Sequence, residues 1–164
     1  MIIFDTDILS CFGKIRKVHL LKKVFSGKFI ISHSVYNELQ KAKNMGFEWV
    51  DDIFAAVDMI SLTEKEIVDY KEIISKETSI HPGEIESIIL CKHRDCLFVT
   101  DDKRAKNYCD KKAINYFDLH DILRHLFRSG TLSRDETIHI INEIEEKDHR
   151  VIKGWENILN ESKI

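Results

Sequence analysis

The sequence predicts an α/β fold: a mostly parallel central sheet of about four to five strands, flanked by helices. Three observations lead there. Short apolar runs rich in β-branched and aromatic residues, Ile2-Ile3-Phe4, Phe29 to Ser32 and Leu97 to Thr100, read as buried strands. Stretches with helical apolar spacing lie between them, and such alternation implies a parallel sheet with helices packed on it. Two of the runs lead straight into carboxylates, Asp5-Thr6-Asp7 and Asp101-Asp102. In open α/β sheets the region just beyond the carboxyl ends of the strands is where ligands bind.

Taken in order, the first strand is followed by a helix through Ile8, Leu9 and Phe12, with Asp7 suited to cap it and Gly13 to end it. His19 to Phe25 is a second short helical stretch, and Ser26-Gly27 makes a turn into the strand Phe29 to Ser32. Ser34 starts a helix whose apolar face is Val35, Leu39 and Ala42, leaving Glu38 at the border of the buried side. Phe47 to Ala56 is amphipathic and anchored by Trp49, Ile53 and Phe54, while Val57 to Leu62 alternates like an edge strand. Thr63 with Glu66 forms a capping box for a polar helix to about Glu77. Pro82 suits the first position of the next helix, packed through Ile85, Ile88 and Ile89, and Glu84 falls in its first turn, where the helix dipole favours a negative charge.

Beyond the strand Leu97 to Thr100, Asp102 is placed to cap a basic helix from Lys103 to Lys112, and Ala113 to Phe117 reads as the last strand. Asp118 or His120 opens a helix ending at Ser129-Gly130. Ser133 and Glu136 make a further capping box for a helix to about Lys147. In the tail, Trp155, Ile158 and Leu159 recur at helical spacing, suited to packing on this chain or on a second copy.

A length of 164 residues fits one domain with a real core. An apolar content of 43% and a charged content of 32% describe a folded, soluble chain rather than a disordered one. The net charge of -3 gives no overall attraction to nucleic acid or membrane, so any nucleic-acid contact must come from a local patch. No run approaches the roughly 20 apolar residues of a membrane span, and the chain enters a strand without a secretion signal, so a cytoplasmic location is expected. Cys11, Cys91, Cys96 and Cys109 lack metal-finger or CxxC spacing and are expected to be packing thiols.

The acids share a logic. Asp5 and the pair Asp101/Asp102 stand at strand ends, and Glu38 and Glu84 stand near helix starts. If the strands are parallel neighbours, all converge on one rim. Crowded carboxylates raise one another's pKa unless a cation neutralises them. Oxygen-only ligands favour Mg²⁺ or Mn²⁺ over Zn²⁺. Such an ion can lower the pKa of a bound water and stabilise charge on a phosphoryl oxygen, which points to phosphodiester hydrolysis. Singly, each acid has a plainer role: strand-end or helix cap for Asp5 and Asp102, solvated helix acid for Glu38, dipole partner for Glu84, surface charge for Glu86. The case lies in the spacing of the set.

Ile3-Phe4-Asp5-Thr6, Val35-Tyr36-Asn37-Glu38-Leu39, Gly83 to Leu90 and Phe98 to Ala105 resemble, in order and separation, the four motifs of the PIN-domain nucleases. The likeness spans about residues 1–130 and is greatest to the small prokaryotic VapC-like ribonuclease toxins. It implies a PIN-like three-layer sandwich over 1–164, with a core of about 1–130 and a C-terminal helical extension over 131–164. It also implies Mg²⁺- or Mn²⁺-dependent cleavage of single-stranded RNA. Asp5, Glu38, Glu84 and Asp102 would be the catalytic acids, and Asp5, Glu84, Asp101 and Asp102 the metal ligands. Thr6, Thr100 and Glu86 would support them, Glu86 also being an alternative to Glu84. A toxin role, an antitoxin partner and a homodimer follow from the same likeness. The chain departs from the family pattern in having Glu84 where many members have Asp, and Asp7 after Thr6.

Basic side chains flank the acids in sequence: Lys103, Arg104 and Lys106 after the last, Lys14, Arg16 and Lys17 after the first. Lys103, Arg104 and Lys14 are the candidates for binding substrate phosphates. Two rival readings exist. Asp5-Thr6-Asp7 also resembles the opening of haloacid-dehalogenase-type phosphatases, with Asp5 as nucleophile and Asp7 as acid/base, yet Ala105 and Lys106 stand where that class wants a further acid. An inactive PIN-like module that only binds protein or RNA would carry the same acids.

Overall fold

Five short strands, β1 (Ile2–Phe4), β2 (Phe29–Ser32), β3 (Asp58–Ile60), β4 (Leu97–Val99) and β5 (Tyr116–Phe117), form one sheet in a computed structural model that describes residues 1–160. Their order is β3-β2-β1-β4-β5 and every pairing is parallel. The chain therefore winds outward from β1 in one direction and then, after β3, in the other. The strand order reverses between β1 and β4, which makes the crevice beyond their carboxyl ends the topological switch point. Asp5 and the Thr100-Asp101-Asp102 segment lie there by sequence alone.

Side chains of a strand alternate between the faces of a sheet, and the register keeps like faces together: Ile2 pairs with Phe29 and Leu97, Ile3 with Ile30 and Phe98, Phe4 with Val99. On one face Phe4, Phe29, Ile31 and Val99 meet α1 (Thr6–Lys14), α2 (Leu21–Val24), α3 (His33–Asn44), α4 (Trp49–Phe54), α8 (Leu119–Arg128) and α9 (Arg134–Asp148). On the other, Ile3, Ile30 and Phe98 meet α5 (Glu64–Lys76), α6 (Pro82–Arg94) and α7 (Lys103–Lys112). The result is a three-layer α/β/α sandwich. Each fully buried Leu, Ile or Phe contributes about 1.5–3 kcal/mol to holding it.

Several local expectations change. Asp5, not Asp7, caps α1: its carboxylate accepts the Thr6 N–H at 2.7 Å, so the helix follows the strand with no connecting loop. Gly13 lies inside α1 rather than ending it, because α4 packs so close that a Cβ there would sit 2.7 Å from Cε3 of Trp49. Ser32, the last residue of β2, caps α3 in place of Ser34. Asp118 rather than His120 opens α8, in a reciprocal box with Asp121. The last strand contracts to Tyr116–Phe117, since Ala113 takes a left-handed turn (φ 53°) that closes α7.

The tail is not a regular α-helix: Trp155–Asn157 is a single 3-10 turn. Ile158 and Leu159 are buried with Ile140, Ile141, Ile144 and Ile152 in the core that also holds α1 and α8. The tail thus packs on its own chain. All four cysteines are free and buried, and burial pushes the Cys11 and Cys109 thiols up to about 12, which suits packing and not reactivity. No helix among the described residues is long and apolar enough to cross a membrane.

Candidate active site

Asp5 leaves β1 at the switch point and is nearly buried, 7% exposed. One carboxylate oxygen accepts the Thr6 N–H, and the other accepts the Thr100 hydroxyl at 3.0 Å. Thr100 sits just past β4 and its hydroxyl oxygen also accepts the Asp102 N–H at 3.2 Å, so this threonine joins the ends of the two central strands. Burial pushes the Asp5 carboxyl up to about 7; the charges of Asp7 and Glu38 add to it, and the bonds from Thr100 and Thr6 oppose it.

Glu38 reaches the same place from α3, where its carboxylate accepts the Thr6 hydroxyl. Glu84 arrives on the first turn of α6 and turns back to accept the His81 N–H at 3.1 Å. Burial first, then the charges of Asp5, Asp102 and Asp7, push Glu84 up to about 8 against that bond. Asp102 caps α7, with Oδ1 accepting from the N–H groups of Arg104 (2.7 Å) and Ala105 (2.8 Å).

Two features bring α3 and α6 together. Gly83 has no side chain where a Cβ would lie 3.3 Å from the Ser34 Cβ and 3.5 Å from Oε1 of Glu38. Three residues on, the buried Glu86 accepts the Ser34 N–H at 2.9 Å, placing a negative charge at the amino end of α3 where the helix dipole favours it. Glu86 is therefore a tie between the helices that carry Glu38 and Glu84.

Other candidates go elsewhere. Asp101 is already paired with Arg150 (3.1 Å) and Lys106 (3.5 Å). The Arg104 guanidinium donates to the Ser79 carbonyl at 2.8 Å. Lys14 pairs with Asp148, and Lys103 is exposed. Sequence reasoning missed His81, whose Nδ1 lies 3.6 Å from Oε1 of Glu38, and Arg150, which reaches Asp7, Asp101 and Asp148. The capping position of His81 three residues before Glu84 was a usable signal; nothing local marked Arg150. A groove of about 340 Å³ between α5, α6 and α7 is separate from these acids, and its Lys76 and Lys92 are paired with Glu72 and Asp69.

Asp5, Glu38 and Asp102 are thus linked through Thr6 and Thr100, and Glu84 stands within electrostatic reach of Asp5 and Asp102. Among the described residues no three Asp, Glu, His or Cys side chains close on one point at ligating distance. The donor set still fits a divalent cation: it is all oxygen, two of its carboxylates are driven toward neutrality by burial and by neighbouring acids, and Mg²⁺ keeps several waters rather than needing a full protein cage.

A family model described as DUF3368, PIN domain, matches residues 1–162. No curated protein matches the chain. The all-parallel sheet, the acids at its switch point and a match over nearly the whole chain agree, and they displace the haloacid-dehalogenase reading of Asp5 and Asp7: the chain belongs to the PIN-domain family, which points to a nuclease.

Proposed function

We propose that this chain is a Mg²⁺- or Mn²⁺-dependent endoribonuclease that hydrolyses phosphodiester bonds of single-stranded RNA. The observation that carries the reading is the pair Asp5 and Glu84, carboxylates from separate elements that burial first, and then neighbouring carboxylates (Asp7 and Glu38 for Asp5; Asp5, Asp102 and Asp7 for Glu84), push up to about 7 and about 8 at the switch point of a parallel sheet. Asp5, Glu84 and Asp102 would hold the ion. When bound, it would supply an activated water and positive charge for the phosphoryl oxygens.

The chain's own groups do the rest. Thr100 and the Thr6 N–H fix both oxygens of Asp5, and the Thr6 hydroxyl fixes Glu38, so the carboxylates need little reorganisation when the cation arrives. Glu38, beside His81, is the acid placed to accept a proton from the attacking water. The Thr100 hydroxyl, between Asp5 and the Asp102 backbone, keeps the two strand ends at one spacing.

The test is cleavage of a labelled single-stranded RNA with and without Mn²⁺, beside a DNA of the same sequence, repeated with Asp5→Asn. Metal-dependent cleavage of the RNA by the wild type and a loss of at least about a hundredfold in the variant are expected. Activity retained by Asp5→Asn means the acids are misassigned, and wild type that binds RNA without cutting it leaves an inactive binding module. A toxin role, with an antitoxin partner and a homodimer, is part of the same proposal and is supported by the resemblance to VapC-like toxins. Light scattering that returned the 19.2 kDa monomer would remove the dimer.

A further inference from the structure

The acidic rim poses a problem for a polyanionic substrate. Asp5, Asp7, Glu38, Glu84, Asp101 and Asp102 lie close together, and one divalent ion leaves them net negative. RNA binding requires fixed cations beside them. Most of the flanking basic residues are already engaged: Arg104 donates to Ser79, Lys14 pairs with Asp148, and Lys106 is shared between Asp118 and Asp101, while Lys103 is exposed with no ion pair among the described residues to fix it.

Arg150 is placed differently. It comes from the far end of the chain, where α9 ends and His149 adopts a left-handed conformation (φ 56°). That conformation costs a non-glycine residue about 1–2 kcal/mol. The turn sends Arg150 back to the start of α1. Its Nε lies 3.2 Å from Asp148, its Nη1 3.1 Å from Asp101 and its Nη2 3.6 Å from Asp7.

The three contacts are unequal. Asp148 and Asp101 are 5% and 23% exposed and engage the guanidinium at Nε and at Nη1. Asp7 is 56% exposed and its contact exceeds hydrogen-bond length, so Nη2 has no hydrogen-bond acceptor among the described residues, on a side chain that is itself 21% exposed. The Asp148 oxygen beside Nε is close enough for an ion pair but makes no aligned hydrogen bond, and a buried charge network of that kind is a poor way to gain stability alone. It is a good way to hold a planar, always-charged donor whose Nη2 is left for a phosphate.

Resting on the nuclease reading, we infer that Arg150 binds a backbone phosphate of the RNA through its Nη2 edge, next to the acids that take the metal. Asp148 and Asp101 position the guanidinium, and Asp7 occupies the phosphate's place until RNA displaces it. The C-terminal segment thereby completes the substrate site.

Arg150→Ala and Arg150→Lys test this through steady-state cleavage of single-stranded RNA at several salt concentrations, with Mn²⁺ affinity by calorimetry and thermal melts alongside. For Arg150→Ala, KM is expected to rise about tenfold with kcat within about threefold. The slope of log(1/KM) against log[salt] should shrink by about 0.7, the value for one phosphate contact on a single strand. Its Mn²⁺ affinity should be equal or tighter, since a nearby positive charge has gone. Arg150→Lys should keep the salt slope and recover part of KM. An unchanged KM and salt slope, or a lowered melting temperature as the sole effect, overturns the inference. Weakened Mn²⁺ binding also overturns it, because Arg150 would then be positioning the acids. A wild type that cleaves beside an unaltered Arg150→Ala defeats the inference alone; a wild type that neither binds Mn²⁺ nor cleaves defeats the nuclease reading and the inference together.

Discussion

Asp5 caps α1, receives the Thr100 hydroxyl and is nevertheless held near neutrality by burial and by Asp7 and Glu38. Its fixed geometry and its unfavourable charge have one source, the direct passage of β1 into α1 at the switch point. Without metal the charge is a liability to the fold. Asp5→Asn keeps the shape and can still accept the Thr6 N–H, so the metal-free variant should be more stable than wild type at pH 8 by about 1–2 kcal/mol in urea unfolding. A loss of stability would show that the hydrogen bonds outweigh the buried charge. At this scale the sequence was legible where a residue acts through its neighbours: Asp5, Glu84 and the Asp102 cap follow from strand ends and helix starts. Asp7 was the more obvious cap and was displaced because the helix begins one residue after β1. Arg150 was illegible, since it meets Asp101 49 positions away only after the left-handed turn at His149.

Between elements, the α5–α6 contact shows how a capping box becomes a tertiary link. Thr63 and Glu66 close the start of α5 as the sequence predicts. Arg94, in the last turn of α6, donates to both Glu66 oxygens at 2.7 Å, and to the Ser61 carbonyl at 3.0 Å. Arg94 foremost, with the Thr63 bonds, lowers the buried Glu66 carboxyl to about 2. A carboxyl whose folded pKa is depressed stabilises the fold above its ordinary value of 4.5 and loses that contribution as pH falls from there toward 2. Glu66→Gln should therefore lower stability by roughly 2 kcal/mol at pH 7 and flatten the acid limb of the stability profile between those values. Equal slopes for variant and wild type would contradict the pairing. Helix starts were readable because side-chain caps are local. Helix ends and close approaches were not: Gly13 looks like a terminator but exists to admit Trp49, a residue 36 positions on.

For the molecule as a whole, the alternation of strands and helices and the acids after two strands sufficed to anticipate a parallel sheet with a rim of carboxylates. Strand order was beyond reach of periodicity, because nothing local says that β4 returns to the other side of β1. That crossover is what sets Asp102 and Thr100 beside Asp5. The tail, too, is more integral than its spacing suggested, contributing Ile158 and Leu159 to the core and Arg150 to the rim. On the proposed reading, carboxylates from the end of β1, α6 and the start of α7 share one divalent ion. Calorimetric titration of Mn²⁺ into the wild type, Asp5→Asn, Glu84→Gln and Glu86→Gln tests it most directly. One site in the wild type, lost or weakened at least about tenfold in the first two variants and kept in Glu86→Gln, is the predicted result; equal affinity in wild type and Asp5→Asn would contradict it.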